Sequence, residues 1–136
     1  MIVLDASVVL KWLLQEVDSP AALMYKTRRV SGRQTVAAPD LLLYEITNAL
    51  RWKPGVAEDV LADAVGGLLH IGLHIVAPTA TLLEEAARLS FATHLSVHDC
   101  VYLALANELG GHVVTADQRM ARQAEPLASV RLLSAH

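Results

Sequence analysis

The chain opens with Ile2, Val3 and Leu4 in an unbroken aliphatic run that stops at Asp5. Without polar alternation, such a run predicts a strand buried on both faces, as at the centre of a parallel sheet. Val8 to Gln15 is apolar at nearly every position, with only Lys11 charged, and predicts a helix packed on several sides. Ser19-Pro20 opens a second helix, Ser as N-cap and Pro at the first helical position, running to about Arg29 before Gly32. Thr35 to Ala38 reads as a second strand, and Pro39-Asp40 starts a helix from Leu41 to Trp52. Its core stripe is Leu42, Ile46, Ala49 and Leu50, with Glu45 among them. After the breaker Lys53-Pro54-Gly55, Ala57 to Leu69 places Val60, Leu61, Ala64, Val65 and Leu68 at helical spacing. Leu73 to Ala77 is a third strand, stopped by Pro78. A helix from Thr81 to Thr93 turns Leu82, Leu83, Ala86, Ala87 and Leu89 inward. A loop, His94 to Asp99, leads into an apolar helix from Cys100 to Leu109, closed by Gly110-Gly111. His112 to Thr115 is a fourth strand, Ala116-Asp117 turns into a short helix through Ala124, and Val130 to Leu133 is a fifth strand. Strands alternating with helices over short connections predict an α/β fold, a parallel sheet with helices on both faces.

Composition narrows this picture. At 136 residues and 54% hydrophobic content the chain, 1–136, is expected to form a single domain. With 11 basic against 14 acidic residues, the net charge of -3 supplies no global field for nucleic acid, so any such contact must be local. Cys100 is the only cysteine, which excludes an internal disulfide and a multi-cysteine metal site, and reads as a small core residue in a reducing compartment. Ala64 to Leu83 is uncharged and long enough to cross a bilayer, but Gly66, Gly67, Gly72 and Pro78 interrupt it. No basic leader precedes the first apolar run, and the expectation is a soluble, cytoplasmic protein with no membrane contact.

The acids carry the candidate chemistry. Asp5 follows the first strand, Asp117 follows the fourth, Asp99 begins the helix that feeds the fourth, and Glu45 joins from the third helix. In a parallel sheet all strand carboxyl ends share one edge, so Asp5 and Asp117 meet there if their strands are neighbours. Two carboxylates about 4 Å apart repel by about 4 kcal/mol at an effective dielectric of 20. Lys11, Arg51 and Arg119 are the nearest compensating charges, but none adjoins an acid. A divalent ion resolves the repulsion better, and carboxylate oxygens suit magnesium. Spacing alone leaves alternatives open: Asp5 and Asp99 as N-caps, Glu45 as a surface acid.

Four segments taken together are more specific. Val3-Leu4-Asp5-Ala6-Ser7, Glu45-Ile46-Thr47-Asn48-Ala49-Leu50, His98-Asp99-Cys100-Val101-Tyr102-Leu103-Ala104-Leu105-Ala106 and Val113-Val114-Thr115-Ala116-Asp117 resemble, in order and interval, the PIN-domain nucleases. More narrowly, the chain is similar to the VapC-type ribonuclease toxins of toxin–antitoxin pairs. The resemblance implies a PIN-like three-layer sandwich whose five-stranded parallel sheet has the order 3-2-1-4-5. It implies a magnesium- or manganese-dependent endoribonuclease in which Asp5, Glu45, Asp99 and Asp117 are the catalytic, metal-binding acids. Ser7 and Thr115 match hydroxyls that would orient carboxylates or a bound water, with capping and turn formation as their other reading. Asn48, one turn after Glu45, would face substrate or water. Lys11, Arg51 and Arg119, with Lys53 and Arg122, would meet RNA phosphates, although solvated surface charge is the ordinary state of each.

The resemblance further implies a homodimer and a cognate antitoxin whose tail presents an Arg or Lys to the acids. His98 stands where many relatives carry an apolar or small residue, and no role is assigned to it. Trp12, Tyr44 and Trp52 read as core or protein-interface residues rather than base-stacking platforms. Two other functions fit parts of the pattern. A non-catalytic PIN-like module would bind RNA or protein without cutting. An aspartyl phosphate-transfer enzyme would also place an acid after strand one, but Asp5-Ala6-Ser7 lacks the second acid two residues on.

Overall fold

The computed structural model describes residues 1–14 and 19–133. Gln15, at the end of the first expected helix, and His136 lie outside the described residues. The described elements are β1 (Ile2–Leu4), α1 (Ala6–Leu13), α2 (Ser19–Val30), β2 (Val36–Pro39), α3 (Leu41–Arg51), α4 (Glu58–His70), β3 (His74–Val76), α5 (Ala80–Thr93), α6 (Val97–Leu109), β4 (His112–Thr115), α7 (Gln118–Ala124) and β5 (Val130–Leu132). Every strand pair is parallel and the sheet order is β3-β2-β1-β4-β5, the order the resemblance implied.

The aliphatic run at the N-terminus occupies the centre because it can be buried on both sides: Val3 and Leu4 are wholly inaccessible, as are Val113 and Val114 on β4. Register sets β1 against β4 with Leu4 opposite Val114, and the ladder extends one step further through Asp5 N–H donating to the Val114 carbonyl at 3.3 Å. The carboxyl ends of β1 and β4 therefore finish side by side.

Right-handed crossovers put α1 to α4 on one face of this order and α5 to α7 on the other. Helix α6 packs on β1, β2 and β4 as well as on α5, which explains its burial on nearly all sides from Cys100 to Ala106. It runs back against the strands to feed β4, so its N-terminal turn lies over the sheet's carboxyl edge.

Some boundaries and faces differ from expectation. Helix α6 starts at Val97, not Cys100, because the Ser96 hydroxyl accepts the Asp99 backbone N–H and caps it. His98 and Asp99 thus belong to its first turn. Ser19 is already helical, and its hydroxyl donates to the Leu14 carbonyl. The inward stripes of the outer helices are narrower than their apolar periodicity suggests: Val60 on α4 and Leu83 on α5 are exposed, and Leu68 is the fully buried residue of α4. Both helices lean on one neighbouring helix, α4 on α3 and α5 on α6, which covers only part of an apolar face. Cys100 is a buried free thiol in the core. Among the described residues no helix is long and apolar enough to cross a membrane.

Candidate active site

Asp5 caps α1 and is only 5% exposed. Its Oδ1 accepts the Ser7 hydroxyl at 2.5 Å and the Val8 N–H at 3.4 Å, and its Oδ2 accepts the Thr115 hydroxyl at 2.5 Å. Thr115, the last residue of β4 and wholly buried, also accepts the Asp117 N–H at 3.0 Å. Ser7 Oγ in turn accepts the Ala116 N–H at 2.9 Å. Two hydroxyls thus tie the end of β1 to the turn after β4, fixing Asp5 and the backbone of Asp117 together. Asp117 caps α7, its Oδ1 accepting the N–H groups of Arg119 and Met120. The capping reading is correct for Asp5, and Asp117 is a cap as well; among the described residues the hydrogen bonds to the Asp117 carboxylate all go to Oδ1.

Glu45 reaches the same edge from α3. It is half-buried, and its Oε1 accepts the Tyr102 hydroxyl of α6 at 2.5 Å. This bond joins helices from opposite faces of the sheet above the strand ends. Asp99, one turn before Tyr102 on α6, is also half-buried. Ser96 caps that helix, so the Asp99 carboxylate is not used as a cap.

The charges of these groups act on one another in a chain, Glu45 with Asp99 and Asp99 with Asp117, and Asp5 acts on Tyr102. Burial pushes the Asp5 carboxyl up to about 6, against the opposing pull of the hydrogen bonds from Ser7, Thr115 and Val8. Glu45 is raised by burial and by the charge of Asp99, while the Tyr102 hydrogen bond and His98 lower it. Asp99 is raised by burial and by Asp117, with its Ser96 hydrogen bond, Arg119 and His98 acting the other way. Tyr102 is held firmly neutral, first by burial and then by its bond to Glu45, with the charges of Glu45, Asp5 and Asp99 all acting on it. Among the described residues none of the four carboxylates is in a salt bridge; an ion pair of Arg88 with Glu85 lies on α5.

The donor set suits a hard divalent cation: carboxylate oxygens, with no ammonium or guanidinium in an ion pair with them among the described residues. Among the described residues no three His, Cys, Asp or Glu side chains already enclose a metal position. Asp5 commits both of its oxygens to protein donors, and Glu45 and Asp117 one each. The fit is therefore to an ion that keeps several of its own waters, as magnesium does.

The remaining sequence candidates are dispersed. Arg119, exposed at the start of α7, acts on Asp99 through its charge. Asn48 is exposed and its Oδ1 accepts the Trp52 indole N–H, and Arg51 lies over the Trp52 ring. Lys11 lines a groove between α1 and α2 with Trp12 and Leu23. Trp12 is core, its indole N–H donating to the Ala22 carbonyl at 2.7 Å, whereas Tyr44 and Trp52 are exposed. Tyr102 is the member of the cluster that sequence reasoning missed. Its signal was present: the sole hydroxyl-bearing residue between Cys100 and Ala106, one turn after Asp99 and on its side of the helix.

Comparison with known proteins shows the family and the fold. The PIN domain family model matches residues 2–126. Over 127 residues the chain is 30% identical to Ribonuclease VapC3 of Pyrobaculum aerophilum, covering 90% of this chain and 93% of that protein. Among solved structures, FitAcB of Neisseria gonorrhoeae superposes with a TM-score of 0.79 at 15% identity, covering 100% of both chains. A toxin-antitoxin complex from Klebsiella pneumoniae gives 0.73 at 12% identity, covering 98% of each chain. At those identities the structural likenesses bear on the fold.

Proposed function

The chain belongs to the PIN-domain family and, within it, to the VapC ribonucleases, and on that premise we propose that it is a divalent-metal-dependent endoribonuclease, the toxin of a toxin–antitoxin pair. The observation that supports this reading is that Asp5, Glu45, Asp99 and Asp117 come from elements meeting at one sheet edge and, among the described residues, have no salt-bridge partner. Structural acids at such density are ordinarily neutralised by neighbouring cations, and the energy of leaving them unpaired has to be offset by a ligand.

These four residues would hold magnesium or manganese. Such an ion, when bound, neutralises phosphoryl oxygens and acidifies water enough to give a nucleophile near neutral pH. The chain's own groups do the rest. Ser7 and Thr115 keep both oxygens of Asp5 in fixed directions, so that its charge does not swing away as substrate enters. Tyr102 does the same for Glu45, leaving Oε2 to take a proton. The raised proton affinity of Asp5, Glu45 and Asp99 suits them to that task. Arg119, beside Asp99, would meet a backbone phosphate, with Lys11 and Arg51 as weaker contacts.

The toxin role brings a cognate antitoxin, and the family pattern a homodimer. One relative by fold is a toxin-antitoxin complex, which supports the first. An antitoxin Arg or Lys placed among the acids would inhibit by occupying the cation's position. The test is cleavage of a panel of structured RNAs in magnesium or manganese, with EDTA and Asp5→Asn as controls. Cutting by wild type alone, giving 5′-phosphate and 3′-hydroxyl ends, is expected. Equal cutting by both proteins, or persistence in EDTA, would overturn the reading.

A further inference from the structure

Trp52, at the C-terminal end of α3, leaves 70% of its surface exposed, yet its ring is held in place. Its indole N–H donates to Asn48 Oδ1 at 3.3 Å, and the Arg51 guanidinium carbon lies 4.3 Å from the ring centroid. Both partners are themselves exposed, as is Lys53 beyond them. A large apolar ring kept in water is unfavourable for folding. One fixed by a hydrogen bond and a cation–π contact is a flat surface with little conformational entropy left to lose on binding.

Its position relative to the acids gives that surface a use. Trp52 follows Glu45 by two helical turns of α3, on the same side of the helix and roughly 10 Å along its axis, with Asn48 between them. A single strand crossing the carboxylates and continuing about 10 Å along α3 would reach the ring.

We infer that Trp52, with Arg51 and Asn48, forms a stacking subsite for an unpaired nucleobase of the RNA substrate, flanking the phosphodiester presented to the acids. The inference rests on the nuclease reading for its ligand class. Aromatic faces stack bases of any identity, and guanidinium groups add to the stack or meet phosphate. The Asn48 amide, with Oδ1 engaged, keeps its N–H groups for a base edge. Unpaired, splayed bases are what RNA offers such platforms. Because net charge is -3, attraction to RNA has to come from local groups, and a cationic aromatic surface beside the acidic edge supplies it. The charge and amide in contact with the ring suit a polyanion with π-faces, and the apolar part of this surface, Leu43, Tyr44 and Leu61, lies in the groove that Asn48 and Arg51 also line.

The full-length protein can be titrated in EDTA with a fluorescein-labelled single-stranded RNA of mixed sequence, following anisotropy and indole emission. Trp12 is buried, so a change in emission reports Trp52. Saturable quenching is expected. Trp52→Ala weakens binding about tenfold and Trp52→Phe less than about threefold, with thermal unfolding unchanged in both. Wild-type affinity in Trp52→Ala overturns the subsite, even if both proteins cut RNA in manganese. Quenching and tenfold weakening without any cutting in manganese leaves the subsite standing and removes the nuclease reading instead.

Discussion

The Tyr102 hydroxyl donates to Glu45 Oε1 at 2.5 Å, from a ring only 2% exposed on α6 to a carboxylate on α3. The bond lowers the proton affinity of Glu45, which burial and Asp99 raise. Tyr102→Phe keeps the packed ring and removes the donor. Hydrogen bonds to charged groups contribute about 1.5–3 kcal/mol, so kcat for RNA cleavage should fall about tenfold or more while KM moves little. The rising limb of the pH profile should shift to higher pH, because Glu45 then holds its proton more tightly. An unchanged profile and kcat would mean that Tyr102 has only a packing role.

Asp5 makes stability depend on pH in the opposite sense to a salt-bridged acid. Its carboxyl is pushed from 3.8 up to about 6 in the folded chain, so the folded state binds the proton more tightly than the unfolded one. This group's contribution is most favourable below pH 3.8, and stability is lost as pH rises towards 6, by about 3 kcal/mol in all. Asp5→Asn removes the dependence. In EDTA, urea unfolding should find the variant gaining on wild type by roughly that amount between acidic and neutral pH. A constant difference across the range contradicts the assignment.

Metal binding is testable without any substrate. Magnesium or manganese in excess should raise the Tm of wild type at neutral pH by several degrees, through preferential binding to the folded chain. Asp5→Asn and Asp99→Asn should show little or no such shift, and EDTA should reverse it in wild type. Equal shifts in all three proteins would place the ion elsewhere.

Thr115 connects β4 to Asp5 through one buried hydroxyl that both donates and accepts. Thr115→Val fills the same space but strands the Asp5 oxygen and the Asp117 N–H. The cost should be about 1–3 kcal/mol in urea unfolding. Thr115→Ser restores the hydroxyl and should recover most of the loss. A valine variant as stable as wild type would show that water satisfies both groups.

These relationships were legible in the sequence to different depths. Ile2 to Leu4 and Val113-Val114 announced central strands because burial on both faces suppresses polar alternation. Their adjacency came from the family resemblance, since periodicity says nothing about which strands pair. The start of α6 at Val97 is hidden in the sequence because Ser96 and Val97 resemble a loop unless Ser96 is known to cap. Val60 and Leu83 were expected inside because an apolar stripe does not reveal how much of its width a neighbour covers. Asp5 and Asp117 stood out as charges at strand ends. Tyr102 did not, since an aromatic in an apolar helix ordinarily signals core, and it is core as well. In the sequence Trp52 reads as core or protein interface. Its exposure, and its fastening by Asn48 and Arg51, depend on side-chain directions that spacing does not encode.

The hydroxyl that Thr115 gives to Asp5 spans 110 residues of chain. A ribosome releases β1 long before β4, so the nascent protein carries Asp5 and Glu45 for a time without the strand that seats the one or the final acid that completes the set. A prematurely ended chain lacks them permanently. The topology thus delays the site's assembly until β4 and the turn after it have been made, so the order of synthesis itself keeps the carboxylates apart until then.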